Sequence, residues 1–154
     1  MNIAELEPQQ IAKAIANSLY AEFLNTGNPA IADQLISPKF TGPAGNGPEG
    51  FKAVISPLRQ AFPDLHFKIE DMVAEDSRVV VRWTSKGTHR GPFAGIAPTD
   101  RQVFNEGIAI YLIEDGKIAA SWSQVDRLGV LQQIGALPPT GSGPAPRTEP
   151  SRPS

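Results

Sequence analysis

The stretch IAIYLIEDGKIAASWSQVD, residues 108–126, contains an Asp-Gly pair, Asp115-Gly116, between two apolar segments. An Asp-Gly pair in this setting is typical of a two-residue β-hairpin turn, so the stretch predicts two adjoining antiparallel strands. The second strand carries Trp122 and ends at Asp126. It therefore brings an acid and a large aromatic side chain to one end of a sheet.

Four strands are predicted in the second half of the chain. The alternating and β-branched residues place them at residues 66–73, 79–86, 103–113 and 118–126. A short turn at residues 74–77 separates the first two. The four segments are therefore expected to form an antiparallel meander.

Helical spacing dominates the first half. Apolar residues recur every three or four positions and predict helices at residues 8–23, 29–36 and 48–62, with a short fourth helix at residues 127–134. Pro57 lies inside the third helix and is expected to kink or split it. Helices grouped before strands indicate an α+β fold in which the helices cover one face of a curved sheet. A curved sheet closed by helices makes a cone with a single mouth.

The chain of 154 residues suits one folded domain with one core. We assign the domain to residues 1–137. Residues 138–154, PPTGSGPAPRTEPSRPS, have no large apolar side chain and are dense in Pro, Gly and Ser. Such a segment cannot offset its ordering entropy, so a disordered tail is predicted there.

Composition narrows the class of protein. The net charge is −2, with 14 basic and 16 acidic residues, so neither nucleic acid nor a membrane is expected as a partner. The chain has no cysteine, which excludes disulfides and thiolate chemistry and fits a cytoplasmic location. Residues 1–10 lack the basic start of a signal peptide. His66 and His89 have no acid at ligand spacing, so no metal or other cofactor is predicted.

Strand alternation sorts side chains by face. We assign Trp83 and Trp122 to the concave face of the sheet, where the helices pack. Residues 103–113 are apolar on both faces, and the sequence leaves open which face lines the pocket. A bulge would exchange the two faces of a strand beyond it.

Residues 63–99, 108–126 and 128–137 together resemble the SnoaL-like polyketide cyclase or ester cyclase family, which belongs to the nuclear-transport-factor-like superfamily. The strongest matches are Phe-Pro-Asp at 62–64, Gly-Thr-His-x-Gly at 87–91, Asp-Gly-Lys-Ile at 115–118, and Trp122 with Asp126. The resemblance covers roughly residues 11–137. It implies a cone-shaped α+β barrel.

The resemblance also implies an inward carboxylate that serves as acid and base in an aldol-type ring closure. By position, Asp126 matches the family aspartate and His89 the histidine of the Gly-Thr-His loop. Three positions depart from the family pattern. Ala120 replaces a frequent acid, Leu112 replaces a frequent arginine, and Asp100 follows Pro-Thr where glycine is usual.

Each candidate has two interpretations. Asp126 is either a general base or the N-cap of the helix that follows it. His89 either stabilises a carbonyl oxygen or bonds to the backbone of its loop. His66 is more simply read as a structural or rim residue. The side chains predicted to line the pocket are Trp122, Trp83, Tyr20, Phe93, Tyr111, His66, Asn105 and Glu106.

Two functions remain in contention. The first is a cofactor-independent enzyme in which Asp126 takes a proton next to the carbonyl of a small apolar or aromatic compound, leading to cyclisation, isomerisation or hydrolysis. The second is a non-catalytic binding or interaction module with the same cone. The apolar character of both faces of residues 103–113 predicts a homodimer.

Overall fold

A computed structural model of the chain describes residues 6–139. The helices of this part are α1 (Pro8–Ser18), α2 (Pro29–Leu35), α3 (Gly47–Ala61) and α4 (Arg127–Gln133), and α1 continues into a π-helical turn (Leu19–Leu24). Asn28 caps α2 by accepting a hydrogen bond from the Ala30 N–H at 3.1 Å. The helix order matches the expectation from spacing.

The strands are β1 (Thr41–Gly42), β2 (Gly45–Asn46), β3 (His66–Glu75), β4 (Arg78–Thr88), β5 (Gln102–Glu114) and β6 (Lys117–Val125). The last four form one antiparallel meander in the order β3-β4-β5-β6. The α+β class and the cone-shaped fold are confirmed. β1 and β2 form a small separate hairpin within a stretch expected to be a loop.

The predicted turn between β5 and β6 is present. Asp115 and Gly116 both adopt positive φ, at 50° and 72°, as a type I′ hairpin turn requires. The pairing of β5 with β6 changes register between Leu112 and Ile113. Because of this irregularity, Ile118 shares the buried face with Ile113, whereas Trp122 lies opposite Ile110.

We call the face of the sheet that packs against α1 the inner face, and the opposite one the outer face. The alternate residues Val79, Val81 and Trp83 of β4 are buried on the inner face. Ala12 and Ala16 of α1 are fully buried against the sheet, because their small side chains let helix and sheet approach closely. The core therefore lies between α1, the π-helical turn and the inner face.

Trp122 is not on the concave face. It pairs with Ile110 on the outer face and is 54% exposed, whereas Trp83 is 6% exposed on the inner face. The prediction was wrong because the irregularity between Leu112 and Ile113 exchanges the faces of β6. Tyr111 lies on the inner face, which resolves the ambiguity of β5.

Two further expectations concern helix α3 and the C-terminal segment. α3 runs through Pro57 as one helix and is not split, since Ile55 and Ala61 on either side of Pro57 are both buried and hold the two halves in place. The disordered tail was predicted for residues 138–154, and residues 140–154 lie outside the described part of the chain. That prediction stays open.

Replacement of Gly107 tests the packing of the inner face. A Cβ at this position would lie 2.4 Å from Trp83 Cζ2 and 2.7 Å from the Gln124 carbonyl oxygen. We expect Gly107→Ala to lower the free energy of unfolding by about 1–3 kcal/mol through overpacking. Urea denaturation measures this change, and Gln102→Ala, at an exposed position of the same strand, is the control. Equal stability of the two variants would contradict this packing.

Candidate functional site

A cleft opens on the outer face, at the end of the sheet where β3 begins and β6 ends. Strand register places its side chains in two rows, His66 with Lys86 and Phe104, and Lys68 with Thr84 and Glu106. Glu70, Ser85, Asn105 and Asp126 complete the lining. We call this the outer cleft. Its volume of about 620 Å³ is large enough for a small organic ligand.

Asp126 combines two roles at the edge of the outer cleft. Its Oδ1 accepts a hydrogen bond from the Gly129 N–H at 2.8 Å, which makes it the N-cap of α4. The predicted capping role is therefore present. The other oxygen, Oδ2, accepts no hydrogen bond from the residues at 6–139, and the side chain is exposed. One carboxylate at the edge of the cleft thus caps the helix with one oxygen and keeps the other free of hydrogen bonds to the described residues.

The outer cleft carries charges of both signs. Glu70 accepts a hydrogen bond from Thr84 Oγ1 at 2.8 Å and lies 3.5 Å from Lys68 Nζ. These contacts, the Thr84 bond first, hold the pKa of Glu70 below its ordinary value, so Glu70 remains ionised. Glu106, which lies in the row with Lys68 and Thr84, makes no side-chain hydrogen bond or ion pair within the described residues. Asp126 and Glu106 are therefore the carboxylates that the cleft leaves available.

The inner face holds a pair of buried hydroxyl groups. Tyr20, in the π-helical turn, and Tyr111, on β5, are 3.0 Å apart between their hydroxyl oxygens. Phe67 packs edge-on against both Tyr20 and Trp83. Burial raises the pKa of Tyr20 and raises that of Tyr111 to about 12. Both tyrosines are therefore neutral hydrogen-bonding groups at physiological pH.

His89 follows β4 and is fully buried. Its Nδ1 lies 2.9 Å from Thr99 Oγ1 and accepts a hydrogen bond from the Thr99 N–H at 3.2 Å. Its ring packs against Phe62 at a centroid distance of 5.5 Å, and Phe62 in turn contacts Phe93. His89 and Phe93 thus belong to one aromatic cluster beneath the β4–β5 connection.

The segments at 62–64 and 87–91 hold this cluster together. Asp64 accepts hydrogen bonds from the N–H and Oγ1 of Thr88, at 2.6 and 2.7 Å. The N–H groups of Arg90 and Gly91 both donate to the carbonyl oxygen of Ala61. A Cβ at Gly91 would lie 2.3 Å from the Gln60 carbonyl oxygen, so only glycine permits this approach. The two segments therefore fix the position of His89.

The structure divides the predicted site residues into three groups. Asp126, Glu106, Asn105 and His66 meet in the outer cleft. Tyr20, Tyr111, Trp83, His89 and Phe93 belong to the core or to its edge. Trp122 lies on the outer face apart from the cleft lining. No hydrogen bond or ring contact among the described residues joins Asp126 to the 87–91 loop.

Six lining residues were missed by the sequence interpretation: Lys68, Glu70, Thr84, Ser85, Lys86 and Phe104. Alternation along residues 79–86 is the signal for Thr84 and Lys86, since it places both on the face opposite Trp83. The signal was discounted because the pocket was expected on the concave face. Within residues 6–139, no three His, Asp or Glu side chains lie close enough together to hold a metal ion. No helix in this part of the chain is long and apolar enough to cross a membrane.

Comparison with known families identifies the fold's relatives. The family described as SnoaL-like polyketide cyclase matches residues 14–134. The chain belongs to this family. The resemblance of the 62–64, 87–91 and 115–118 segments is thereby confirmed. No match is found among curated proteins.

Solved structures agree with this assignment. TsrD from Streptomyces laurentii is 32% identical, with a TM-score of 0.72 over 89% of this chain and 99% of TsrD. A protein of Acidithiobacillus ferrooxidans, provisionally described as a polyketide cyclase, is 31% identical, with a TM-score of 0.72 over 87% of this chain and 97% of that one. AclR from Streptomyces galilaeus, provisionally described as a hydroxylase, is 25% identical, with a TM-score of 0.75 over 85% of each chain.

The buried tyrosine pair makes a prediction about alkaline pH. The raised pKa values mean that the folded state holds both phenol protons more tightly than the unfolded chain. The resulting stabilisation is complete below pH ~10 and is lost as pH rises. The stabilisation is lost as the pH passes the pKa of Tyr111 in the folded state, which is about 12.

We expect the free energy of unfolding of the wild type to fall more steeply above pH ~10 than that of a Tyr20→Phe/Tyr111→Phe variant, by at least about 1 kcal/mol at the upper end. Urea denaturation at a series of pH values measures both. Lysine titration is common to the two proteins and cancels in the difference. Parallel curves would show that the pair does not titrate with unfolding.

Proposed function

We propose that this protein is a cofactor-independent acid–base enzyme that acts on a small apolar carbonyl compound in the outer cleft. The observation that carries the proposal is the carboxylate of Asp126, which lines the cleft, is held by one oxygen at the start of α4 and has a second oxygen that accepts no hydrogen bond from the described residues. A base that is already oriented loses little entropy when it meets its substrate. Membership of the SnoaL-like family supports the same class of chemistry.

The proposed reaction begins with proton transfer. Asp126 removes a proton from the carbon next to a carbonyl, and the bonding electrons form an enolate. The ammonium groups of Lys68 and Lys86 lie in the same cleft and stabilise the negative charge on the enolate oxygen. An apolar ligand that displaces water from the cleft strengthens these interactions.

The enolate carbon can then attack a second carbonyl of the same molecule. A carbon–carbon bond forms, the second carbonyl becomes an alkoxide, and protonated Asp126 returns its proton to that alkoxide. Atoms and charge balance without an external reagent. Return of the proton to a different carbon gives isomerisation, and activation of water by the same carboxylate gives hydrolysis. Cyclisation is the version that the family membership supports.

A non-catalytic binding module is the second candidate. The observation that favours it is the capping bond from Gly129 to Asp126, which gives the carboxylate a structural reason to be present. The composition of the outer cleft favours the enzyme, since it contains both free carboxylates and cationic groups. A passive site for an apolar ligand needs neither.

Substitution of Asp126 separates the two functions. Exchange of the acidic C–H of a panel of aryl β-diketones for deuterium, followed by NMR in D₂O, reports proton abstraction without knowledge of the natural substrate. We expect Asp126→Asn to keep the cap and to reduce exchange by about 10²–10⁴-fold. Asp126→Ala should abolish exchange and also cost about 1 kcal/mol of stability through loss of the cap.

Glu106→Gln is the matched control, because it removes the other free carboxylate of the cleft. It should leave most of the exchange activity in place. If Asp126→Asn is fully active and Glu106→Gln is not, Glu106 is the base. If no diketone exchanges faster with the wild type than in buffer, the binding module is the better conclusion.

We also propose that the protein forms a homodimer through the outer face. Register aligns four apolar side chains across all four strands of the sheet, Val73, Val80, Ile110 and Trp122. Val73 and Trp122 at the two ends are 66% and 54% exposed. The flanking side chains carry both signs of charge, as in the Arg82–Asp71 pair at 2.7 Å. A second copy presents the same apolar row and the same mixed charges, as a two-fold interface requires.

Charge placed on this apolar row should prevent dimerisation. We expect a dimer mass for the wild type by light scattering at high micromolar concentration and a monomer mass for Val73→Lys and Trp122→Lys. Val54→Lys is the control, because Val54 is a similarly exposed apolar residue on α3, away from the sheet. A wild-type monomer, or a dimer that survives both strand substitutions, would argue against this interface.

A further inference from the structure

Among the buried side-chain nitrogen and oxygen atoms of the described residues, Nε2 of His89 is the one that has no hydrogen-bond partner. The residue is completely removed from solvent. Buried side-chain nitrogen and oxygen atoms are normally paired, and each exception calls for a physical explanation. Since the atom belongs to a side chain that the proposed mechanism does not use, the explanation must be sought in the surroundings of the ring.

The contacts of the other ring nitrogen determine which atom carries the proton. A backbone N–H can only donate, so the bond from the Thr99 N–H at 3.2 Å requires Nδ1 to be an acceptor. The Thr99 hydroxyl, 2.9 Å away, can donate to the same nitrogen. The neutral ring therefore carries its hydrogen on Nε2. The unpartnered atom is an N–H donor, which can neither accept a proton nor act as a base.

The His89 ring belongs to an aromatic cluster. Phe62 packs against the imidazole, and Phe93 packs against Phe62. An unpaired N–H in such surroundings is costly, because it has lost its bond to water and gained none. Thr99, Asp64 and Ala61 nevertheless hold the segment in this geometry. The fold thus buries the Nε2–H of His89 where only the acceptor atom of a bound molecule could form a hydrogen bond with it.

The connection between β4 and β5 begins at His89, carries Phe93 and is attached mainly at its ends. His89 exchanges backbone hydrogen bonds with Arg101 and Asp100, and Arg90 and Gly91 are bonded to Ala61. For residues 92–98, the backbone hydrogen bonds within the described chain are those between Phe93 and Ile96, inside the segment itself. The tip can therefore move without breaking a hydrogen bond to the body of the protein.

We propose that the Nε2–H of His89 is the hydrogen-bond donor of a second ligand site, which takes the carbonyl oxygen of a small aromatic compound when the 92–98 tip is displaced. Phe62 and Phe93 form its apolar walls, and His89 binds the oxygen as a neutral donor without transferring a proton. The class of ligand rests on the proposed function, and the donor geometry does not. This site is separate from the outer cleft, whose lining does not include His89.

NMR of isotopically labelled histidine tests the site directly. The chain has two histidines, and loss of one set of signals in a His89→Asn spectrum assigns the other to His66. We expect the free protein to show the Nε2–H tautomer at His89. Acetophenone should shift the Nε2–H signal downfield in a saturable manner. Ethylbenzene, of similar shape but without the oxygen, should not.

Two substitutions separate the roles of the ring nitrogens. His89→Asn keeps an acceptor near the position of Nδ1 and removes the Nε2 donor, whereas His89→Gln keeps a donor near Nε2 and loses the acceptor. We expect the preference for acetophenone over ethylbenzene to fall by roughly tenfold in His89→Asn, because one hydrogen bond contributes on that scale, and to persist in His89→Gln. Asp126→Asn should leave binding at His89 unchanged, which separates this proposal from the acid–base function.

Three results would overturn the site. The first is an Nδ1–H tautomer at His89. The second is an Nε2–H signal that exchanges with a bound water and does not move with acetophenone up to its solubility limit. The third is an equal response to acetophenone and ethylbenzene. Loss of deuterium exchange in Asp126→Asn together with any of these would leave the proposed function in place without the second site.

Discussion

One change of register between β5 and β6 determines which side chains of β6 belong to the core. It lies between Leu112 and Ile113, just before the Asp115-Gly116 turn. This change of register places Ile118 in the core and Trp122 on the outer face. The apolar row on the outer face, which ends at Trp122, depends on this assignment of the faces of β6.

The outer cleft follows from the alternation of side chains along β4 and β5. Since the odd-numbered residues of β4 and β5 point to the core, the even-numbered residues Thr84, Lys86 and Glu106 must point away from it. Asp126 comes directly after β6 and stands beside Glu106, to whose carbonyl its N–H lies at 3.4 Å. Function on this face is then compatible with a closed core, because the reactive groups and the packed interior use opposite sides of one sheet.

Sequence reasoning worked where the signal is local. The Asp115-Gly116 turn and the capping position of Asp126 each depend on residues a few positions apart, and each is present. The same reasoning failed for Trp122, because a single irregularity in strand pairing leaves no mark in the pattern of apolar residues. The arrangement of His89 could not have been foreseen either. It depends on Thr99 and Phe62, which the chain brings together only through the fold.

The two tryptophans of the chain stand on opposite sides of the sheet, one enclosed and one open. Trp83 is surrounded by Phe67 and the backbone of Gly107, whereas half of Trp122 is in contact with solvent. A dissolved fluorescence quencher can therefore reach Trp122 in the native protein but can reach Trp83 only when the interior opens. The intrinsic emission of this chain thus contains two separate optical probes, one for coverage of the outer face and one for the integrity of the core.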